Sequence, residues 1–129
     1  MAEGVLGPIE RTPDAQHTVL AVTTNDIPGY RITEVHGDVY GITVRARNYF
    51  ANLGATLRTV AGGEVVGYTR LLTEARAEAR KRLLEDAARK GANAVLAMRF
   101  DCNEIGDIMN EITAYGTAVT VHKIDASSA

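Results

Sequence analysis

The sequence predicts an α+β domain of two layers, an antiparallel sheet with helices on one face, in the order β-β-α-α-β-β. Three observations carry this. Segments rich in β-branched residues lie near both ends, around a helical middle. The block from Gly62 to Phe100 opens on a double glycine, runs through a long amphipathic stretch and stops at Gly91. An apolar run, Ala94 to Phe100, follows and reads as a buried strand.

Residues 1–16 carry Gly4, Gly7, Pro8 and Pro13 with little periodicity, and read as an N-terminal arm or tail. His17–Thr24 is the first predicted strand. Asn25-Asp26-Ile27-Pro28-Gly29 is a turn. Tyr30–Ala46 is a long second strand. Tyr30 and Ile32 share one phase of its alternation, Val35 and Val39 the other, which places a bulge or bend near Glu34. A hairpin turn at Gly37-Asp38 is the alternative.

Arg47–Val60 has helical spacing at Phe50, Leu53, Leu57 and Val60, weakened by Gly54. The second helix runs from about Val66 to Lys90. Tyr68, Leu72, Ala75, Ala79, Leu83 and Ala87 form its inner stripe, small enough in the middle for close packing. Its outer face is charged, with acid-first pairs Glu78–Arg82, Glu85–Arg89 and Asp86–Lys90. Gly91 stands at the C′ position. Ala94–Phe100 is the third strand, Asn103–Asp107 a loop, and Ile108–Ile124 a fourth strand bent at Gly116. A single domain over 17–124 and a tail over 125–129 result.

Composition narrows the function. Apolar residues make up 46% of the 129, and the formal net charge is −2 with both signs mixed, which disfavours nucleic-acid binding. No apolar run reaches the ~20 residues of a membrane helix, and the N-terminus lacks the pattern of a signal peptide. Cys102 is the only cysteine, so the expectation is a reduced, cytoplasmic protein.

Gly41, Asn48, Phe50, Arg58, Gly62-Gly63, Tyr68, Leu72, Ala75-Arg76, Gly91-Ala92, Ala94-Val95 and Gly116-Thr117-Ala118-Val119 occur in order and at characteristic spacing. On these residues the chain resembles the YbjQ-like family of bacterial proteins, to which heavy-metal binding has been ascribed. The likeness covers about Thr18–Val121. It implies a homopentamer and, as the one candidate cofactor, a divalent or heavy metal ion. It implies no activity, because the family's biochemical role is unsettled. Relatives typically carry Arg-Ser after the double glycine, where this chain has Glu64 and Val65. Val65 cannot cap a helix, and Glu64 opposes an anion there.

Candidate metal ligands are His17, His36, His122 and Cys102, with Asp101, Glu104 and Asp107. None has the spacing of a closed zinc site. Asp101-Cys102-x-Glu104 is the best cluster for a site assembled between subunits, although a polar strand end with a half-buried thiol is the simpler reading. Gly62 and Gly67 have phosphate-loop spacing, but Tyr68 stands where the lysine belongs and a helix, not a strand, precedes. The only serines are Ser127 and Ser128, so nucleophilic catalysis has little support and no enzyme is expected. Arg47, Tyr49, Arg58, Tyr68, Arg70 and Arg76, with Gly62 and Gly63, are the ligand or interface candidates; arginine and tyrosine are common at oligomer interfaces. The leading expectation is a homo-oligomeric binding or scaffold protein whose partner is itself. The alternative is a metal-binding or metal-sensing protein with a site between subunits.

Overall fold

A long helix lies across a strongly bent sheet in the computed structural model, which describes residues 19–46 and 66–125. The strands are β1 (Leu20–Ala21), β2 (Tyr30–Ala46), β3 (Ala94–Ile105) and β4 (Met109–Lys123), and the helix α1 (Val66–Arg89) stands between β2 and β3. The sheet order is β1-β3-β4-β2. The predicted helix over Arg47–Val60 and the double glycine after it lie outside the described residues, as do residues 1–18 and 126–129. The described elements thus run β-β-α-β-β, with one helix.

The sheet is mixed rather than antiparallel. β2 with β4 and β3 with β4 pair antiparallel, but β1 pairs parallel with β3, Leu20 against Ala94. A parallel neighbour needs a long crossover, and β2 and α1 supply it here. Regular pairing of the first strand is only two residues long, yet the chain continues beside β3 through Val22 N–H to Val95 O (2.9 Å) and Met98 N–H to Val22 O (2.9 Å). That continuation needs a bulge on β3 between Leu96 and Arg99. Within it Ala97 takes φ 54°, a left-handed conformation that costs a residue with a Cβ about 1–2 kcal/mol. The irregularity expected at Gly116 therefore sits on the opposite strand. β4 pairs with β2 without a shift there, and a Cβ on Gly116 would come within 2.6 Å of Val95 Cγ1.

β2 keeps its predicted bounds and contains two register shifts, at Ile32/Glu34 and at Val35/Gly37. They explain the slip in hydrophobic phase. Gly37, at φ 103°, carries the second bulge and is not a hairpin turn. β3 and β4 form a longer hairpin than predicted. Asn103–Ile105 belongs to β3, and the turn is confined to 106–108. Cross-strand partners such as Asn103 with Glu111 extend the ladder past Phe100.

The core lies between α1 and the sheet. Ala75, Ala79, Leu83 and Ala87 are buried at four-residue spacing, against Val39 of β2 and Ile112, Ala114 and Ala118 of β4. Leu84 joins them. Leu72, in the predicted stripe, is 41% exposed and lines a recess shared with residues of β3 and β4. At Gly41 the fit is closest: an added Cβ would collide with the carbonyl oxygen of Ala79 and the amide nitrogen of Leu83. α1 ends as predicted. Gly91 has φ 84°, its N–H reaches Ala88 O and the Ala92 N–H reaches Ala87 O, which together make a Schellman motif. The predicted pairs Glu78–Arg82 (3.2 Å) and Asp86–Lys90 (3.7 Å) form, whereas Arg89 turns to Asp86 at 3.4 Å instead of Glu85.

α1 also closes the outer edge of β2. Asp86 accepts the Tyr40 N–H (3.2 Å), Lys90 donates to Asp38 O (3.0 Å), and Arg82 donates to Ile42 O. An open strand edge recruits other strands, so these side chains protect it. Beside them the Tyr40 hydroxyl donates to Asp38 Oδ2 at 2.7 Å. That hydrogen bond holds the Asp38 carboxyl below its ordinary value of 3.8 and, with the nearby negative charge, raises the Tyr40 phenol above 10.0.

Two predictions follow from this packing. Gly41→Ala forces the helix off the sheet and lowers stability by about 1–3 kcal/mol in urea denaturation; an unchanged midpoint would show that the seam is slack. Asp38 has a depressed folded pKa, so its contribution is present above 3.8 and is lost on acidification through the folded value. Tyr40 is raised, so its contribution is present below 10.0 and is lost as pH climbs through the folded value. In Tyr40→Phe the Asp38 titration followed by NMR shifts upward toward 3.8.

Candidate functional site

Alternation along each strand gives the sheet two faces with different neighbours. Ile112, Ala114 and Ala118 of β4 face α1. Thr113, Tyr115 and Thr117 alternate with them and face away. At one end this far face has its own cluster, Ala94, Leu96, Val119 and Val121, covered by Val22, Ile27 and Tyr30. Toward the β3–β4 turn, Ile42 and Val44 on this face are exposed.

The same reasoning divides the predicted metal cluster. Cys102 pairs with Ile112 and Glu104 with Asn110, on the helix side of the sheet. Asp101 pairs with Thr113 and lies on the far face. A recess of about 390 Å³ opens beside the early turns of α1, lined by Leu72 and by residues 102–104 and 110–112 of the hairpin. Cys102 is exposed there; Arg76 places a guanidinium nitrogen 3.9 Å from its Sγ and stacks over the Phe100 ring at 5.5 Å. Arg76 is thus one predicted site residue that the fold brings to another.

His36 and His122 are elsewhere, and His17 lies outside the described residues. His36 Nε2 meets Thr120 Oγ1 at 2.7 Å, and its Nδ1 lies 3.9 Å from Glu34. His122 stands ten residues beyond Ile112 on β4, roughly 33 Å at strand rise. Among the described residues, no three of His, Cys, Asp and Glu come close enough to hold a metal ion. Among the described residues, β3 offers Cys102 with Glu104, short of the four ligands of a structural zinc site. Arg47, Tyr49, Arg58, Gly62, Gly63, Glu64 and Val65 lie outside the described residues, and of Tyr68 only the backbone is described. Arg70 is exposed and pairs with Glu74 at 3.6 Å. Thr43 is fully buried, and its Oγ1 has no hydrogen-bond partner among the described residues.

A second surface escaped the sequence reading. Ile32, Val35, Tyr40, Ile42 and Val44 are all exposed, Val35 by 64%. Their β4 partners, Val121, Val119, Tyr115, Thr113 and Glu111, all belong to the far face, so the five form one stripe along the edge strand. The two bulges bring Ile32 and Val35 into phase with the residues beyond them. Among the described residues, no helix is long and apolar enough to cross a membrane.

Comparison with known proteins agrees with this architecture. The chain is 51% identical over 110 residues to a UPF0145 protein of Streptomyces griseus, covering 85% of this chain and 91% of that protein. It is 51% identical over 106 residues to the UPF0145 protein YjfJ of Lactococcus lactis, covering 82% and 97%. An archaeal relative from Thermoplasma volcanium, a UPF0145 protein, is 47% identical over 113 residues, covering 88% and 93%. A crystal structure of a protein of unknown function from Pediococcus pentosaceus shares the fold with a TM-score of 0.52 at 13% identity, covering 80% of this chain and 97% of that one. Residues 19–122 match the model of the YbjQ-like family, described as "Putative heavy-metal-binding", and with these relatives the match shows that the chain belongs to that family.

Proposed function

We propose that this protein is a homo-oligomeric binding protein, a pentamer, whose subunits meet through the far face of the sheet. The stripe of Ile32, Val35, Tyr40, Ile42 and Val44 carries the reading. Contiguous exposed apolar surface on one face marks an interaction site in soluble proteins. A second copy is the occupant that needs no further partner, and strand addition is disfavoured where α1 side chains occupy the β2 edge. The absence of an expected catalyst in the sequence keeps the reading to binding and scaffolding, not turnover.

Metal binding is the second reading, favoured by the family's description and by the placement of Cys102 and Glu104 on one face of β3, two residues apart. The donor pair is incomplete within one chain, so neighbouring copies complete the set. A thiolate selects soft or borderline ions.

Native mass spectrometry of the protein, purified without chelator, tests the first reading. A pentamer is expected at micromolar concentration, and Ile42→Glu, which puts a charge in the stripe, shifts it to smaller species while circular dichroism stays unchanged. A wild-type monomer at tens of micromolar would overturn the assembly. For the second reading, Cys102→Ser is expected to lose cadmium binding measured by calorimetry. Undiminished affinity in that variant removes the thiol from any metal site.

A further inference from the structure

The recess beside α1 is polarised along its length. Cys102 and Ile112, partners across β3 and β4, line its middle, with Leu72 of α1 beside them. Arg76, one turn after Leu72, holds a guanidinium nitrogen 3.9 Å from Cys102 Sγ and lies over the Phe100 ring, so the cation stands at the end away from the hairpin turn. Glu104 and Asn110, the next pair on the same face, line the end near the turn. Glu104 lies two residues beyond Cys102 on β3, roughly 7 Å at strand rise. Cation, apolar wall and carboxylate thus follow one another in a cleft of about 390 Å³, within the range of small-molecule sites.

Arg76 has the most bonding capacity to spare. Among the described residues it meets no carboxylate; its contacts are a thiol and an aromatic face, neither of them a strong acceptor. Most of its N–H donors remain for a planar partner with two oxygens, which a guanidinium grips in bidentate fashion. Glu104 is already engaged by another group of this chain, but a carboxylate has about four acceptor positions and takes a second donor beside the first. Glu111, also in the lining, accepts from the Asn103 amide at 3.2 Å and adds a further negative charge toward the turn. At this exposure either charge alone would hold a ligand weakly. A ligand that satisfies both ends at once gains from each and from the apolar wall between.

We propose that the recess binds a small zwitterion, a free α-amino acid with an apolar side chain. The ligand carboxylate meets Arg76, its ammonium meets Glu104, and its side chain lies against Leu72 and Ile112. Two charged hydrogen bonds of about 3 Å, one at each end of so short a ligand, span the separation of the two protein charges. All of these groups belong to one chain, so the site does not depend on assembly.

L-Leucine is the probe, read by saturation-transfer NMR on the full chain, with isovalerate and isopentylamine as analogues that each lack one charge. Leucine is expected to bind with a dissociation constant of about 1 mM or tighter, and each analogue about tenfold more weakly. Arg76→Met weakens leucine and isovalerate alike, about tenfold, whereas Glu104→Gln weakens leucine about tenfold and leaves isovalerate unchanged. Arg76→Lys, which keeps the charge without the planar fork, falls between wild type and Arg76→Met. Circular dichroism of all three variants matches wild type. No leucine signal at about 10 mM would overturn the site. Isovalerate bound as tightly as leucine would remove the ammonium contact and with it the zwitterion, and full leucine affinity in Arg76→Met would place the ligand elsewhere. Leucine binding by a monomeric chain supports this site while ending the assembly reading. Leucine binding kept in Cys102→Ser, with cadmium lost, supports it independently of the metal reading.

Discussion

The close approach of α1 to β2 at Gly41 is the constraint on which the rest of the molecule depends. The helix backbone at Ala79 and Leu83 occupies the place of a side chain on that strand. Interiors of this density leave no slack for an extra methyl group. The seam is therefore built from the smallest residues, Ala75, Ala79 and Ala87 on the helix with Gly41 and Ala114 below. Burial of alanine contributes little transfer energy per residue. What the arrangement gains is position: it sets the helix directly over the edge of the sheet.

That position has two consequences of opposite kind. The edge of β2 is protected, because Arg82, Asp86 and Lys90 emerge from the helix beside Ile42, Tyr40 and Asp38. The far face of the same strand receives nothing from the helix. Val22, Ile27 and Tyr30 cover its upper cluster, and the stripe from Ile32 to Val44 stays exposed. The guarded edge disfavours the addition of further strands by backbone pairing, and the face offers side chains alone.

Much of this was legible in the sequence where local rules decide. β2 runs from Tyr30 to Ala46 as its β-branched residues require, and Gly91 ends the helix because its φ of 84° suits glycine. The small stripe of α1 and the phase slip in β2 were readable too. What was not readable depends on partners remote in sequence. Parallel pairing of β1 with β3, the exposure of Leu72 and the extension of β3 past Phe100 follow from what lies alongside, not from the residues themselves. The candidate site divides the same way. Asp101, Cys102 and Glu104 are one cluster in sequence, but strand alternation sends Asp101 to the opposite face. Arg76 was named as a ligand or interface candidate and meets Cys102 and Phe100, a contact that spacing alone could not reveal.

The pairing of β1 with β3 bears on how the chain is made. Leu20 leaves the ribosome well before Ala94, its partner, and Arg99, which ties the Thr23 carbonyl at 2.8 Å, comes later still. At a synthesis rate of about 5–20 residues per second the first strand waits on the order of seconds for the surface it docks on. Contacts this distant in sequence are slow to form. Through that interval Val19 and Leu20 lack the partners that cover them in the folded chain.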